Sequence, residues 1–154
     1  VALGTSGAGA SSVVAINDVG VKDVWERLTT DPAAVLVDVR TRAEWSFVGL
    51  PDLTTIGKKP LLAEYQSFPD SRVDPSFADG LAAALEASGV SKNTEIFFIC
   101  RSGGRSKAAA VAMAAKGYAR CRNVADGFEG TLDANRHRGN TGGWKAAGLP
   151  WAQG

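Results

Sequence analysis

The stretch Glu95-Ile96-Phe97-Phe98-Ile99-Cys100-Arg101-Ser102-Gly103-Gly104-Arg105-Ser106-Lys107 changes character twice within a few residues. Ile96 to Ile99 is an unbroken apolar run. Such a run suits a strand buried on both faces, as in a parallel sheet beneath helices. Cys100 ends it, and Arg101 to Gly104 is too polar and too flexible to extend a buried strand. From Arg105 the chain turns alanine-rich, with Ala108, Ala109, Ala110, Ala112, Ala114 and Ala115 ahead of Gly117. That pattern predicts a helix closed by a glycine just beyond its end. The unit reads as strand, glycine loop led by a cysteine, helix.

This order of elements carries chemistry. A helix N-terminus presents unsatisfied amide donors and the positive end of a dipole. A loop curled against it forms an anion cradle. A cysteine at its mouth, beside Arg101 and Arg105, sits where a thiolate is stabilised, and the thiolate is the nucleophilic form. Gly103 and Gly104 let the backbone approach an anion and adopt positive φ. The competing reading of Cys100 is a buried structural cysteine; the arginines, the glycines and the helix favour the nucleophile. Arg101 could be a solvated arginine and Arg105 an ordinary first-turn residue. A cation at a helix N-terminus opposes the dipole, however, and that is sensible where an anion visits, so both are read as anion-binding. Ser106 is either a hydrogen-bonding partner of the loop or the cysteine, or a plain early-helix serine.

Elsewhere the chain alternates strand and helix signals. Val13 to Ile16 is expected as a short edge strand. Asn17 or Asp18 is expected to cap a helix with Val21, Val24, Trp25 and Leu28 on one face. Ala34 to Val39 reads as a second central strand. Thr41 and Glu44 have capping-box spacing. Pro60 to Ala63 fits an edge strand, and Gln66 to Val73 a loop. Asp74-Pro75 predicts a helix start, with Phe77, Leu81, Ala84 and Leu85 as its buried stripe and Gly89 as its stop. Arg120 to Val124 reads as the last strand. The alternation implies an α/β fold with a mainly parallel central sheet. In such sheets sites form beyond the carboxyl ends of strands, where Cys100 stands.

Three segments together resemble the rhodanese-type sulfurtransferases. Cys100-Arg101-Ser102-Gly103-Gly104-Arg105-Ser106 is similar to that family's active-site loop, Cys-Arg-x-Gly-x-Arg-Ser. Val37-Asp38-Val39-Arg40-Thr41-Arg42-Ala43-Glu44-Trp45 resembles its first signature, Asp-x-Arg followed by an acidic and an aromatic residue. Asn123-Val124-Ala125-Asp126-Gly127-Phe128, with Gly142-Gly143-Trp144 and Gly148-Leu149-Pro150, resembles its closing pattern. The match runs from about Val35 to Trp151. The histidine that normally follows the first signature is absent from Phe47 to Leu53, and residues 129–141 form an inserted loop holding Asn135, Arg136, His137 and Arg138.

The resemblance implies a rhodanese-like fold with helices on both faces of the sheet. It implies that Cys100 takes a sulfane sulfur from a donor such as thiosulfate, becomes a persulfide, and passes the sulfur to a thiol, cyanide or protein acceptor. Arg101, Ser102, Gly103, Gly104, Arg105 and Ser106 would bind the anionic donor, and no metal or organic cofactor is implied. Two rival readings remain. One is a phosphatase or arsenate reductase; the four residues between Cys100 and Arg105 make a shorter ring than the phosphatase loop, better sized for one sulfur than for phosphate. The other is a non-catalytic rhodanese-like module that binds a partner or senses sulfur species.

At 154 residues the chain is expected to form one domain over residues 13–154 behind a flexible Gly/Ala/Ser-rich tail at 1–12. Hydrophobic content of 45%, charged content of 21% and net charge +1 are ordinary for a globular protein and give no bulk attraction to nucleic acid or membrane. Two cysteines make no disulfide framework and no zinc spacing, which suits a reducing, cytoplasmic setting. Because the chain begins at Val1, a processed N-terminus stays open. Cys121 is read as a packed strand residue, with a resolving thiol as the alternative. Asp38 either contacts the active loop or pairs with Arg40 or Arg42. His137 lies in a loop with no orienting signal, and Arg136 and Arg138 are read as solvated. The tryptophans at 25, 45, 144 and 151 are read as packing residues. Oligomeric state is not specified by any of these patterns.

Overall fold

The structure, a computed structural model, describes residues 15–153. The expected tail at 1–12, and residues 13 and 14 of the expected first strand, lie outside the described residues. Within them the chain runs β1 (Asn17–Val19), α1 (Val21–Thr30), β2 (Val35–Asp38), α2 (Arg42–Phe47), β3 (Leu50–Pro51), β4 (Leu61–Leu62), α3 (Phe77–Ala87), β5 (Glu95–Ile99), α4 (Gly104–Ala115), β6 (Arg120–Val124), α5 (Gly143–Ala146) and β7 (Trp151–Ala152). Five strands form a parallel sheet in the order β1-β6-β5-β2-β4. β3 and β7 make a separate antiparallel pair.

β5 lies at the middle of the sheet, hydrogen-bonded to β2 on one side and β6 on the other. Alternate residues of a strand face opposite sides. Ile96, Phe98 and Cys100 pack with Phe77, Leu81 and Leu85 of α3 and with Ala109, Ala110 and Met113 of α4. Phe97 and Ile99 pack on the other side with Val24 and Leu28 of α1, and with Phe128 and Trp144. Both faces of β5 are therefore covered, which is why its sequence does not alternate. Phe97 and Phe98 are fully buried; truncating either ring to alanine is expected to cost about 3–5 kcal/mol. Small alanines on the inner face of α4 let that helix lie close to the sheet, with Ala109 and Ala110 both at 0% exposure.

Local signals account for most element ends, with corrections at β1, α1 and α3. Among the described residues the first strand is Asn17–Val19, with Ala15 and Ile16 of the expected Val13–Ile16 strand outside it, and α1 starts after Gly20 with no side-chain cap. Asn17 and Asp18 are strand residues because β1 pairs with β6 from Arg122 to Val124. α3 starts after Ser76, two residues later than Asp74-Pro75 suggests, with no side-chain cap; Asp74 Oδ1 instead accepts the Ser76 N–H at 2.9 Å. The glycine-rich tail after Gly130 contributes α5 and β7. α2 has the expected capping box: Thr41 Oγ1 accepts from the Glu44 N–H, and the Glu44 carboxylate accepts from the Thr41 N–H. No helix among the described residues is long and apolar enough to cross a membrane.

Candidate active site

Cys100 is the first residue beyond β5, and it lies at the floor of a cleft of about 720 Å³. The residue is only 1% exposed. Its backbone is fixed before its side chain is considered. The Cys100 carbonyl accepts the Phe128 N–H at 2.8 Å, and the Arg101 carbonyl accepts the N–H groups of Glu129 and Gly130 at 2.9 and 3.1 Å. Segment 127–130 thus supports the loop from beneath. Gly127 has φ +60°, and a Cβ there would sit 2.7 Å from the Arg101 carbonyl carbon and oxygen. Only a glycine lets that support pass so close.

Beyond Cys100 the chain turns sharply into α4. Gly103 is the residue before the helix, with φ +117°, a conformation glycine adopts without strain. The turn aims the Gly103 N–H at Cys100 Sγ, 3.1 Å away. One helical turn later, Ser106 Oγ is 3.1 Å from the same sulfur and is itself fully buried. The sulfur therefore faces one backbone donor and one hydroxyl at a helix N-terminus, where donors and dipole favour negative charge. Gly104 opens α4 without needing positive φ, so of the two loop glycines only Gly103 uses that freedom.

The two loop arginines have different settings. Arg101 and Ser102 line the cleft, Arg101 exposed. Arg105 also lines it, but its guanidinium grips both oxygens of Glu44, Nη1 to Oε1 at 2.7 Å and Nη2 to Oε2 at 3.0 Å. Burial opposes the charge on Glu44, yet the Arg105 and Thr41 hydrogen bonds outweigh it and hold the carboxyl below its ordinary range. Arg105 is likewise pushed further up by Glu44 despite burial. The anion clamp expected from the sequence is thus a cation already shared with a neighbouring carboxylate.

Asp38 does not reach the loop; it makes a buried pair with Arg40, whose Nε and Nη2 lie 3.0 and 2.7 Å from its oxygens. Arg40 also donates to the Gly49 carbonyl and lies over Phe128, 4.2 Å from the ring centroid. It thereby ties the end of β2 to the segment that supports the cysteine loop. Cys121 is buried on β6, and burial pushes its thiol up to about 11, in keeping with a packing role. His137 is exposed, its backbone N–H held by Asp133. Trp144 is fully buried, stacked edge-on with Trp25 and donating to the Pro150 carbonyl, whereas Trp151 is 39% exposed.

Several cleft residues carry no local signal. Phe47, Phe68 and Pro69 form an apolar rim, with Phe47 78% and Phe68 70% exposed. Glu44, Glu129 and Arg138 join the wall. Glu44 is legible as a capping residue, but its partnership with Arg105 spans 61 positions. On the far side of α4, Asn123 and Asp18 connect to Ser106; Asn123 belongs to a recognisable pattern, while Asp18 looks only like a helix cap.

Comparison with known proteins agrees with this arrangement. The family model described as the STR4 middle domain matches residues 17–154. A Rickettsia prowazekii protein, RP600, described as uncharacterized, is 39% identical over 118 residues, covering 77% of this chain and 82% of its own. The chloroplastic rhodanese-like domain-containing protein 4 of Arabidopsis thaliana is 26% identical over 132 residues, covering 86% of this chain and a quarter of that protein. The crystal structure of Rv0390 from M. tuberculosis superposes with a TM-score of 0.79 at 42% identity, covering 92% of this chain and all of that one. Sulfurtransferases occur among the fold neighbours: a polysulfide-sulfur transferase homodimer from Wolinella succinogenes has a TM-score of 0.56 at 19% identity, covering 94% and 84% of the two chains. The sequence motifs, the parallel sheet with its cysteine loop and the match over residues 17–154 place the chain in the rhodanese-like family, within the group of the STR4 middle domain.

Proposed function

We propose that this protein is a sulfurtransferase that works through a persulfide on Cys100. The observation carrying the reading is the environment of one atom: Cys100 Sγ sits at the floor of an open cleft with the Gly103 N–H and the Ser106 hydroxyl each 3.1 Å away. The Gly103 N–H and the positive end of α4 stabilise the sulfur as an anion before attack, with the Ser106 hydroxyl beside it. In the first half-reaction the thiolate attacks the outer sulfur of thiosulfate. The S–S bond of the donor breaks, sulfite leaves with the bonding pair, and Cys100 holds the outer sulfur as a persulfide anion. In the second, an acceptor thiolate or cyanide attacks that outer sulfur, and the Cys100 thiolate is the leaving group. Arg101, exposed in the cleft wall, is placed to attract the anionic donor, and the Arg105–Glu44 pair forms a polar wall beside it.

The reading is tested by thiocyanate formation from thiosulfate and cyanide. Wild type is expected to turn over with ping-pong kinetics and Cys100→Ser to be inert. The same preparation is expected to leave phosphoesters and arsenate untouched, since Arg105 is engaged by Glu44 rather than directed at a tetrahedral oxyanion. Turnover of a phosphoester dependent on Cys100 would overturn the reading.

A further inference from the structure

Ser106 has two neighbours that both call for its proton. Its Oγ is 3.1 Å from Cys100 Sγ and 2.6 Å from Asn123 Oδ1. A hydroxyl carries one proton and can accept through its lone pairs. Which neighbour receives the proton depends on the orientation of the Asn123 amide, and that orientation is set from outside the cleft. Asn123 Nδ2 lies 2.9 Å from Asp18 Oδ1. A carboxylate only accepts, so the amide must turn its NH₂ to Asp18 and its carbonyl to Ser106. Asp18 is held in its charged form, first by the Asn123 hydrogen bond and then by Lys107, whose Nζ is 3.0 Å from it. The chain Asp18, Asn123, Ser106, Cys100 crosses β1, β6, α4 and the end of β5.

We propose that Asp18 and Asn123 are positioning residues that hold the Ser106 proton away from Cys100 and so restrain the reactivity of its sulfur. With Asn123 so oriented, Ser106 gives its proton to the amide carbonyl and turns lone pairs toward Sγ. That arrangement suits a thiol S–H or the neutral inner sulfur of a persulfide. A bare thiolate requires Ser106 to rotate and give up its bond to Asn123. The free thiolate is therefore the disfavoured member of the cycle, and loading with sulfur, which moves the charge to the outer atom, relieves the conflict. Only this last step rests on the sulfurtransfer reading; the competition for the proton does not.

Other charges around the sulfur must be separated from this effect. Arg101 and Arg105 stand on the loop and on α4, Glu44 on α2, the Asp38–Arg40 pair at the end of β2, and Asp126 beyond β6. Removing Asp18 also removes a negative charge, which by itself favours a thiolate. A double-mutant cycle with Ser106 isolates the hydrogen-bond component.

The measurement is the rate of Cys100 alkylation by iodoacetamide at fixed neutral pH, read at the Cys100 peptide by mass spectrometry. Asp18→Ala frees the Asn123 amide to turn its NH₂ to Ser106, leaving sulfur as the recipient of the hydroxyl proton; the rate is expected to rise roughly fivefold, the equivalent of one net hydrogen bond. Ser106→Ala removes both the competing bond to Asn123 and the lone pairs turned toward Sγ and is expected to leave the rate little changed, and Asp18→Ala added to Ser106→Ala is expected to raise it by much less than in the wild-type background. An equal rise in both backgrounds would mean that charge alone acts, and a fall or no change in the single variant would equally overturn the proposal. Asn123→Ala, which removes the competing carbonyl, provides a second route to the same rise should Asp18→Ala not fold. Alkylation needs no sulfur donor. A chain that obeys this pattern yet never accepts sulfur keeps the inference and loses the proposed function.

Discussion

Arg105 and Glu44 meet as a two-point ion pair, 2.7 and 3.0 Å, between the first turn of the helix that follows the cysteine loop and the first turn of α2. The pair joins the two segments that the sequence marks independently, one by its cysteine loop and the other by its capping box. It places a carboxylate in the wall of a cleft otherwise suited to anions.

Glu44→Gln is therefore expected to improve donor binding. Glutamine at this position still serves the capping box, while Arg105 is released from its carboxylate. The KM for thiosulfate should fall several-fold with kcat little changed, measured by steady-state thiocyanate formation. Arg105→Ala should act in the opposite direction, raising KM, because it also leaves the Glu44 charge uncompensated. An unchanged KM in both variants would show that the pair is structural only.

The same pair predicts a pH dependence of stability. The folded-state pKa of Glu44 is depressed from 4.5, so its contribution is fully present above that value and is lost as pH falls through the lower, folded-state one. Both side chains are about one-fifth exposed, so solvent screens part of this contribution. Denaturant midpoints in acid and at neutral pH check this: the wild type should lose more than Glu44→Gln on acidification.

Much of this site could be read from the chain. The apolar run before Cys100, the glycines after it and the alanine helix specify strand, turn and helix through short-range rules, and the structure places them so. Thr41 and Glu44 were legible as a cap for the same reason. What local rules do not reach is partnership across the sheet. Glu44 meets Arg105 only because α2 and α4 both start at the carboxyl edge of neighbouring parallel strands. Asp18 looks like a helix cap until pairing of β1 with β6 draws it into a strand and onto Asn123. The apolar rim at Phe47 and Phe68 gives no periodic signal, because those side chains pack against nothing in sequence.

Gly127→Ala is expected to disable the loop. Its φ of +60° and the 2.7 Å approach to the Arg101 carbonyl leave no room for a methyl group. We expect a loss of about 2 kcal/mol or more with Cys100 alkylation altered in the folded fraction. Gly104→Ala, with nothing within 4 Å of a new Cβ, should be tolerated in stability. Thermal melts of the two variants distinguish them, and equal effects would contradict the close support of the loop by segment 127–130.

Cys121→Ser should leave sulfur loading unchanged. Its thiol is buried and raised to about 11, so it is neither a nucleophile nor a resolving thiol near neutral pH. A persulfide that collapses to a disulfide in wild type but not in this variant would contradict that assignment.

Phe47→Ala and Phe68→Ala bear on the size of the acceptor. Both rings stand exposed at the rim of a cleft far larger than thiosulfate requires. Their removal is expected to raise KM for bulky organic thiols and leave that for thiosulfate unaffected, measured in parallel assays. Equal changes for both substrates would remove the rim from acceptor recognition.

Sulfur carriage by Cys100 is read most directly by intact-mass spectrometry after incubation with thiosulfate. A single-sulfur adduct is expected on the wild type, discharged by cyanide and absent from Cys100→Ser. No adduct on the wild type, or an adduct that persists in Cys100→Ser, would contradict it.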